Sequence, residues 1–211
     1  MKSVLVTGGT TRLGKAISDG LRDRGWRVLT SSHRADAGAD LVADLSAPTG
    51  ADELFAAARA KLGGRSPDAL VNNAALFTGE AARLEAVNFA APKRLLELMS
   101  GRTGPRGAVV NVLDTRVLGE AAPSDRSVYA STKRAMLELT RTSAVRHAAT
   151  LRVNAVAPGP VLPPTGAHEA AGTLLIARPT PEDVADAVAF LLEASSTTGC
   201  VIPVDGGQSL L

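Results

Sequence analysis

The chain has 211 residues, 45% of them hydrophobic, which is the length and composition of one globular domain with a substantial core. The formal net charge is only +2 and no cluster of Lys and Arg is dense enough for a polyanion-binding patch, so we expect no nucleic-acid partner. No apolar run reaches about 18 residues and the N-terminus lacks a signal-peptide pattern, so we expect no membrane partner. The single cysteine, Cys200, excludes an internal disulfide bond, and we expect a cytoplasmic protein.

The N-terminal region predicts a strand, a turn, a helix and a second strand. Residues 3–7 are apolar and β-branched and end at a glycine, which indicates a buried strand. Apolar residues recur at helical spacing over 13–21, and residues 26–30 form a second apolar run after Gly25. Strands joined in this way are expected to be parallel, with a right-handed crossover.

The alternation of strand and helix continues to the C-terminus. Short apolar runs predict five further strands, at residues 40–43, 68–71, 107–112, 151–156 and 200–204. Helices are expected at residues 51–62, 84–99, around Tyr129 as far as about 147, and 180–193. Pro92 predicts a kink or a local restart. We therefore expect an α/β fold with a single domain over 1–211, a Rossmann-type doubly wound sheet of about seven parallel strands with helices on both faces.

Tyr129 and Lys133 form the first candidate catalytic pair. On a helix, side chains four residues apart project from one face about one turn apart. A phenol with an ordinary pKa of about 10 is a poor acid or base at neutral pH, and a neighbouring ammonium lowers that pKa. The spacing predicts an acid–base unit. The alternative is a packed tyrosine beside a solvated lysine.

Two other stretches indicate a dinucleotide cofactor. The glycine turn from Gly8 to Gly14 lets backbone amides and a helix N-terminus approach a pyrophosphate, although the usual G-x-G-x-x-G spacing is absent. His33 and Arg34 follow the second predicted strand, where an acid would bind the adenosine ribose of NAD. Arg34 and Arg12 are instead suited to bind a 2′-phosphate. The sequence favours NADP(H); the alternative for each arginine is a solvated surface residue.

These motifs resemble, in their order, the short-chain dehydrogenase/reductase family over nearly the whole chain. The resemblance is carried by Thr7-Gly8 with Arg12 and Gly14, Asp44, Asn72-Asn73-Ala74, Asn88, Tyr129 with Lys133, Pro158-Gly159 and Asp205-Gly206-Gly207. It implies that the catalytic residues are Tyr129, Lys133, Asp114 and Asn88, with no metal. It implies that the cofactor is bound by Gly8, Thr10, Arg12, Leu13, Gly14, His33, Arg34, Asp44, Leu45, Asn73, Ala74, Lys133, Pro158 and Gly159.

The resemblance also implies individual roles. Asp44 would bind the adenine amino group, Asn73-Ala74 would line the adenosine, and Pro158-Gly159 would flank the nicotinamide. Asn88 would anchor a water molecule in a proton relay. The alternatives are a helix-capping role for Asp44 and turn roles for the two asparagines.

Two departures from the usual family pattern narrow the resemblance. Asp114 stands where the family usually has a catalytic serine, and Arg12 replaces a glycine. Together with His33-Arg34, these residues resemble the pteridine reductase and dihydromonapterin reductase branch. The separation of Asp114 from Tyr129 is slightly longer than usual, so the loop 118–127 must absorb the excess. Otherwise, Asp114 is an acid on a surface loop.

The protonation state of Asp114 leads to opposite expectations. An ionised Asp114 near Tyr129 disfavours the phenolate and opposes the effect of Lys133. A carboxyl that keeps its proton is a donor for a ring nitrogen of a reducible heterocycle, which favours reduction over alcohol oxidation. We hypothesise the protonated form.

The segments that shape the substrate pocket are short. Only 14 residues separate Asn73 from Asn88, and the flap near residues 160–178 is brief and rich in Pro, Gly and Ala at its start. This predicts an open or small site, or one completed by a neighbouring subunit. Candidates for its apolar lining are Leu76, Phe77 and Leu162, for which ordinary packing is the alternative.

The leading functional hypothesis is an NADPH-dependent reductase that transfers hydride to a C=N or C=O group of a small, pteridine-like molecule. Tyr129 would donate the proton, and Lys133 would adjust the pKa of Tyr129. The nearest alternative is a carbonyl reductase acting on a 3-oxoacyl thioester, a quinone or a sugar. An alternative of another class is a non-catalytic NADP(H)-binding sensor or scaffold. The resemblance implies a homodimer or homotetramer.

Overall fold

The computed structural model describes residues 1–118, 127–161 and 172–211. The strands in these ranges are β1 Ser3–Thr7, β2 Arg27–Ser32, β3 Leu41–Val42, β4 Ala69–Asn72, β5 Gly107–Val112, β6 Leu151–Pro158 and β7 Val201–Val204. The α-helices are α1 Arg12–Asp23, α2 Gly50–Lys61, α3 Ala81–Glu85, α4 Ala91–Ser100, α5 Val128–Arg146 and α6 Pro181–Glu193. A π-helical turn spans Ala86–Ala90, and 3₁₀ turns lie at Ala35–Ala37, Thr115–Val117 and Gln208–Leu210. None of the helices in the described ranges has the length and apolarity needed to cross a bilayer.

The seven strands of the described chain form one parallel sheet in the order β3-β2-β1-β4-β5-β6-β7. Val4 of β1 pairs with Val28 of β2 on one side and with Ala69 of β4 on the other. The strand order therefore reverses between β1 and β4, and ligands of such sheets bind at the carboxyl ends of the strands beside this switch point. The predicted Rossmann-type sheet is confirmed.

The strands supply side chains to an apolar layer on each face of the sheet. Leu5 of β1 packs in one layer with Leu95 of α4, whereas Val4 packs in the other layer with Ile17 of α1 and Val188 of α6. All of these side chains are fully buried. Because successive strand residues point to opposite faces, helices on both sides are needed to bury them. The resulting rigid sheet positions the loops at its carboxyl edge.

The helix predicted over residues 84–99 is divided into three parts. α3 ends at Glu85, the π-helical turn follows, and α4 has Pro92 in its first turn. Proline has no amide hydrogen, so it is tolerated where a helix begins again. The predicted restart at Pro92 is confirmed, and the helical path begins earlier than predicted, at Ala81.

β3 is shorter than its predicted range of 40–43. The Asp40 carboxylate accepts hydrogen bonds from both the amide and the hydroxyl of Thr30 at 2.8 Å. The Thr30 amide of β2 is therefore bonded to the side chain of Asp40. In a longer β3, a backbone carbonyl would accept this hydrogen bond instead.

Candidate active site

An open cleft of about 1010 Å³ lies at the carboxyl edge of the sheet, beside the switch point between β1 and β4. It is bounded by the turns and loops that follow β1 to β6 and by the first turns of α5. Every residue predicted to bind the cofactor lines this cleft, and so do Asp114, Tyr129 and Lys133. The structure thus brings all but one of the predicted site residues together; the exception is Asn88.

The turn between β1 and α1 depends on two glycines and on Asn73. Gly8 has a left-handed backbone with φ +62°, and a Cβ at Gly14 would collide with the Gly8 carbonyl oxygen. Glycine permits both features. The Asn73 side-chain amide donates to the backbone oxygens of Thr7 at 2.9 Å and Gly8 at 3.2 Å. Asn73 therefore has the turn role foreseen as its alternative, although it also lines the cleft.

The N-terminus of α1 opens onto the cleft with its positive end exposed to a ligand. Thr11, at the N-cap position, makes no side-chain cap hydrogen bond, and the first turn contains no acid. The backbone amides of this first turn, which have no partner within the helix, and the helix dipole favour an anion at the N-terminus of α1. Arg12 adds a cation in a left-handed conformation, φ +49°, which costs a residue with a Cβ about 1–2 kcal/mol. Backbone strain of this kind clusters at functional sites.

The basic residues predicted for a 2′-phosphate lie at the end of β2. His33 and Arg34 line the cleft together with Ser31 and Ser32. Arg34 also forms a bidentate ion pair with Asp36, with Nε–Oδ1 at 2.9 Å and Nη2–Oδ2 at 2.6 Å. Both side chains are exposed, so the pair contributes little and other anions compete for the guanidinium. This ion pair was not predicted from the sequence, although an arginine and an aspartate only two residues apart could have indicated it.

Asp44 and Leu45 follow β3 and line the same end of the cleft. Asp44 Oδ1 accepts hydrogen bonds from the hydroxyl of Ser46 at 2.7 Å and from its amide at 2.9 Å. These bonds lower the pKa of Asp44, and the positive charge of Arg83 lowers it further. The helix-capping alternative for Asp44 is wrong, because Thr49 is the N-cap residue of α2. Arg83 of α3 also lines the cleft and was missed from the sequence.

Tyr129 and Lys133 project from the first turns of α5, which Ser127 caps. The Tyr129 hydroxyl donates to Asp114 Oδ2 at 3.0 Å. Lys133 is 5% exposed, and its Nζ donates to the Val112 carbonyl at the end of β5 at 2.8 Å. The same Nζ lies 5.7 Å from the centroid of the Tyr129 ring. The two residues are therefore neighbours, and Asp114 reaches them, so the alternative of a surface-loop acid is wrong.

Asp114 is held as a carboxylate by Arg116. Its Oδ1 accepts from the Arg116 amide at 2.9 Å and from Nε at 3.1 Å, and its Oδ2 accepts from Nη2 at 2.9 Å. Burial by itself would raise the pKa of Asp114. The hydrogen bonds and charge of Arg116, together with the Tyr129 hydroxyl, outweigh burial and lower that pKa below its ordinary value. The hypothesis that Asp114 keeps its proton is therefore wrong.

The surroundings of Tyr129 oppose ionisation of its phenol. Burial raises the pKa of Tyr129 well above its usual value, and the charge of Asp114 and the hydrogen bond to it raise it further. Burial also lowers the pKa of Lys133, from 10.5 to about 8. The expectation that Lys133 brings the pKa of Tyr129 down toward neutral pH is wrong for this arrangement, because burial of the phenol and its bond to Asp114 raise that pKa, while the Lys133 ammonium is bonded to Val112.

Two further side chains enclose Tyr129. The Arg116 guanidinium lies 5.1 Å from the ring centroids of both Phe77 and Tyr129. The two rings are 4.9 Å apart and meet edge to face. Phe77 is 61% exposed and lines the cleft with Leu76, as predicted, whereas Leu162 lies outside the described residues. The role of Arg116 was not predicted from the sequence. Its position two residues after Asp114, in a turn, could have indicated that the two side chains pair.

Asn88 lies outside the cleft, in the π-helical turn, and is 2% exposed. Its side chain accepts from the Leu76 amide at 2.7 Å and donates to the Leu76 carbonyl at 2.8 Å and to the Thr132 hydroxyl at 3.3 Å. Asn88 therefore joins the loop that carries Phe77 to the helix that carries Tyr129. Its role in a proton relay stays a prediction.

Comparison with known proteins agrees with this geometry. The family described as enoyl-(acyl carrier protein) reductase matches residues 13–209. The chain is 32% identical to cis-4-hydroxycyclohexanecarboxylate dehydrogenase of Sinomonas cyclohexanicum, over 97% of this chain and 95% of the relative. It is 30% identical to a probable 2,4-dienoyl-CoA reductase of Bacillus subtilis, over 99% and 97% of the two chains.

A solved structure is similar over the whole chain. FolM alternative dihydrofolate reductase 1 from Brucella suis, crystallised with NADP, superposes with a TM-score of 0.80 at 30% identity, covering 100% of this chain and 96% of the other. Fold, cleft and sequence define a dinucleotide-dependent oxidoreductase. The chain belongs to the short-chain dehydrogenase/reductase family.

Replacing Lys133 with Met tests its lowered pKa through the pH dependence of stability. Between about 8, its native pKa, and 10.5, its ordinary value, Lys133 is neutral in the folded state and charged in the unfolded state. The unfolded state then binds more protons, so rising pH stabilises the wild type. Urea unfolding is expected to show the wild type gaining about 2 kcal/mol over Lys133→Met between about pH 7 and about pH 9.5.

Lys61→Met is the matched control, because Lys61 is an exposed lysine at the end of α2. Its stability relative to the wild type is expected to stay constant over the same pH range. Equal pH dependence in Lys133→Met and Lys61→Met would contradict a lowered native pKa of Lys133.

Proposed function

We propose that this chain is an NADPH-dependent reductase that delivers hydride to a C=N or C=O group of a small, planar, pteridine-like molecule. The observation that carries the proposal is the 3.0 Å hydrogen bond from Tyr129 to Asp114 inside the cleft. A phenol that stays neutral is a proton donor, and a reduction needs one because the atom that gains electrons must be protonated. The similarity to the NADP-bound Brucella suis protein also supports an NADPH-dependent reductase.

The chemistry of the cleft fits NADP(H). Gly8 and Gly14 shape a turn whose backbone amides, with the uncapped N-terminus of α1, would hold the pyrophosphate of the cofactor. Arg12 and Arg34 supply positive charge for a 2′-phosphate, and the acid beside them, Asp36, is already paired with Arg34. Further residues that would hold the cofactor are Thr10, Leu13, His33, Asp44, Leu45, Asn73, Ala74, Lys133, Pro158 and Gly159. When bound, NADPH supplies the hydride.

The protein's own part in the reaction is the movement of one proton. The O–H bond of Tyr129 breaks as the substrate oxygen or nitrogen gains negative charge and takes the proton. This transfer is favourable despite the high pKa of Tyr129, because the alkoxide or amide ion it neutralises is far more basic. The phenolate left behind is balanced by Lys133, which at neutral pH still carries its charge. A new proton would then reach the Tyr129 phenolate from solvent through water molecules held by Asn88 and Lys133.

The surroundings of Tyr129 favour a planar heterocycle as the substrate. The exposed ring of Phe77 offers an apolar face at the cleft beside Tyr129. When the Tyr129 hydroxyl turns to the substrate, Oδ2 of Asp114 would be free to accept a hydrogen bond from a ring N–H or amino group, in place of the donor role expected from the sequence. A pterin presents such donors close to a reducible C=N bond. The name of the Brucella suis protein, a dihydrofolate reductase, describes a substrate of this class.

A second candidate is a carbonyl reductase that reduces the keto group of a 3-oxoacyl thioester. The matched family is described as an enoyl-(acyl carrier protein) reductase, and the Bacillus subtilis relative is named as a dienoyl-CoA reductase. Tyr129 and Lys133 suit a carbonyl as well as an imine. Asp114 favours the heterocycle, because an acyl thioester carbonyl has no N–H group for the carboxylate to accept from.

Apolar side chains on the surface support a homodimer or homotetramer. Val145 of α5, Phe190 of α6 and the terminal Leu210 and Leu211 are all mostly exposed. A homodimer or homotetramer would bury residues of this kind between its subunits.

Oxidation of NADPH against a panel of substrates tests the proposed reaction. The panel contains dihydropterins, 3-oxoacyl thioesters, an enoyl thioester and quinones. We expect the highest kcat/KM with a dihydropterin, and a loss of about 100-fold or more in kcat for Tyr129→Phe, which removes the proton donor and keeps the ring. Preference for a thioester would select the second candidate. Cofactor binding without turnover of any compound would favour a sensor or scaffold.

Two substitutions of Arg12 separate its charge from its backbone strain. Arg12→Gly and Arg12→Ala both remove the guanidinium, so both are expected to raise the KM for NADPH about tenfold and to leave that for NADH nearly unchanged. Only glycine relieves the left-handed strain, so Arg12→Gly should be about 1 kcal/mol more stable than Arg12→Ala in urea unfolding. Equal stability of the two variants would contradict the strain. Unchanged NADPH kinetics would contradict the phosphate contact.

A further inference from the structure

The C-terminal motif Asp205-Gly206-Gly207 has no part in the proposed chemistry, yet it lies beside the active site. It follows β7, and both glycines have left-handed backbones, with φ +63° and +84°. A Cβ at Gly159, in the turn after β6, would lie 2.7 Å from the Asp205 Cβ. The motif therefore packs directly against the Pro158-Gly159 turn that lines the cleft.

The Asp205 carboxylate is buried and fully bonded. Asp205 is 5% exposed, and its Oδ1 accepts from the Gly207 amide at 2.9 Å. Its Oδ2 accepts from the Ser209 amide at 2.9 Å and from the Thr115 hydroxyl at 2.5 Å. Burial alone would raise the pKa of Asp205, but the bonds from Thr115, Ser209 and Gly207 prevail and lower it. Asp205 is thus a carboxylate, and its hydrogen bonds are of the strong, charge-assisted kind.

The hydrogen bond to Thr115 reaches the turn that carries the active-site acid. Thr115 is 3% exposed and stands between Asp114 and Arg116 at the start of a single 3₁₀ turn. Its hydroxyl joins this turn to a residue 90 positions later in the chain. A turn this short has little rigidity of its own, so contacts from outside must fix its position. The packing of Val117 beneath α5 is one such contact, and the bond to Asp205 is another.

The same motif anchors the end of the flap. The Gly206 carbonyl accepts hydrogen bonds from the Leu174 amide at 2.8 Å and the Leu175 amide at 3.0 Å. A Cβ at Gly207 would lie 2.9 Å from the Leu174 side chain. The described end of the flap and the turn that carries Asp114 are thus both attached to the three consecutive residues Asp205, Gly206 and Gly207.

We propose that Asp205 is a positioning residue of this reductase, which acts through the Thr115 hydroxyl to hold Asp114 against Tyr129. The inference rests on the proposed function for its effect on turnover, but its effect on Tyr129 is independent of any substrate. Asp205 itself does not line the cleft, so its action on the reacting atoms is transmitted by Thr115. The bonds to Gly207 and Ser209 fix the carboxylate so that Thr115 meets a rigid acceptor.

The titration of Tyr129 reports the position of Asp114 directly. Tyr129 is the one tyrosine of the chain, so the ultraviolet absorbance of tyrosinate follows this phenol alone. Among the described residues, the charged groups that face it are Asp114 and Arg116 from the turn and Lys133 from α5. Of these, Asp114 raises the pKa of Tyr129. A displaced Asp114 must therefore allow Tyr129 to ionise at lower pH.

The test compares Thr115→Val with Thr115→Ser. Valine keeps the shape of threonine and removes the hydroxyl, whereas serine keeps the hydroxyl and removes the methyl group. We expect Thr115→Val to lower the pKa of Tyr129 and to lower kcat about 10- to 100-fold, with the KM for NADPH changed less than about twofold. Thr115→Ser is expected to retain the wild-type titration and a kcat within about threefold.

Each outcome decides the proposal. A folded Thr115→Val protein with the titration and kcat of the wild type would overturn it, and so would equal losses in the valine and serine variants, since the hydroxyl would then be irrelevant. If Thr115→Val does not fold, Asp205→Ala takes its place, because alanine has no side-chain oxygen to accept from Thr115: it must also lower the pKa of Tyr129, and an unchanged titration overturns the proposal. A shifted titration without turnover of any substrate would refute the proposed function and support the positioning role.

Discussion

The chemistry proposed for this protein depends on the hydrogen bond from the Tyr129 hydroxyl to the Asp114 carboxylate. The bond exists in this form because Arg116 keeps Asp114 ionised despite its burial. Burial of the phenol and the carboxylate together raise the pKa of Tyr129 still further above physiological pH. Before the reaction, the proton is therefore on the Tyr129 hydroxyl. A reduction needs this protonated state, because the substrate must receive a proton as well as a hydride. In the proposed reaction, Lys133, buried beside the ring, would balance the charge that appears when the proton leaves.

Several features of the site are unfavourable for folding on their own. Lys133 carries a buried charge, Arg12 has a strained backbone, and Phe77 exposes most of an aromatic ring. Each lies at the cleft, whereas the strands beneath it, such as Val4 to Val6, are fully buried in regular apolar layers. This separation is expected when a rigid sheet offsets the cost of strain and desolvation at its edge. Because of this separation, substitutions at the cleft are expected to raise stability and lower activity.

The sequence was sufficient for the sheet and for most of the residues that line the cleft, because both follow from local patterns, whereas Arg83 and Arg116 were missed and Asn88 lies outside the cleft. Apolar runs predict the strands, and residues that follow parallel strands must gather at one edge. The charge state of Asp114 was not predictable, since it depends on how a three-residue turn folds Arg116 back onto it. The bond from Thr115 to Asp205 joins residues too distant in the chain for any spacing rule. The π-helical turn at Ala86–Ala90 was missed because it preserves the helical pattern of apolar residues.

The most direct test of the account is a comparison of the Tyr129 titration in the wild type and in Asp114→Asn. Asparagine keeps the size of the side chain and removes the charge that disfavours the phenolate. We expect Tyr129 of the wild type to ionise at higher pH than a free tyrosine, and Asp114→Asn to lower the pKa of Tyr129. An ordinary pKa in the wild type, or the same pKa in both proteins, would contradict the account.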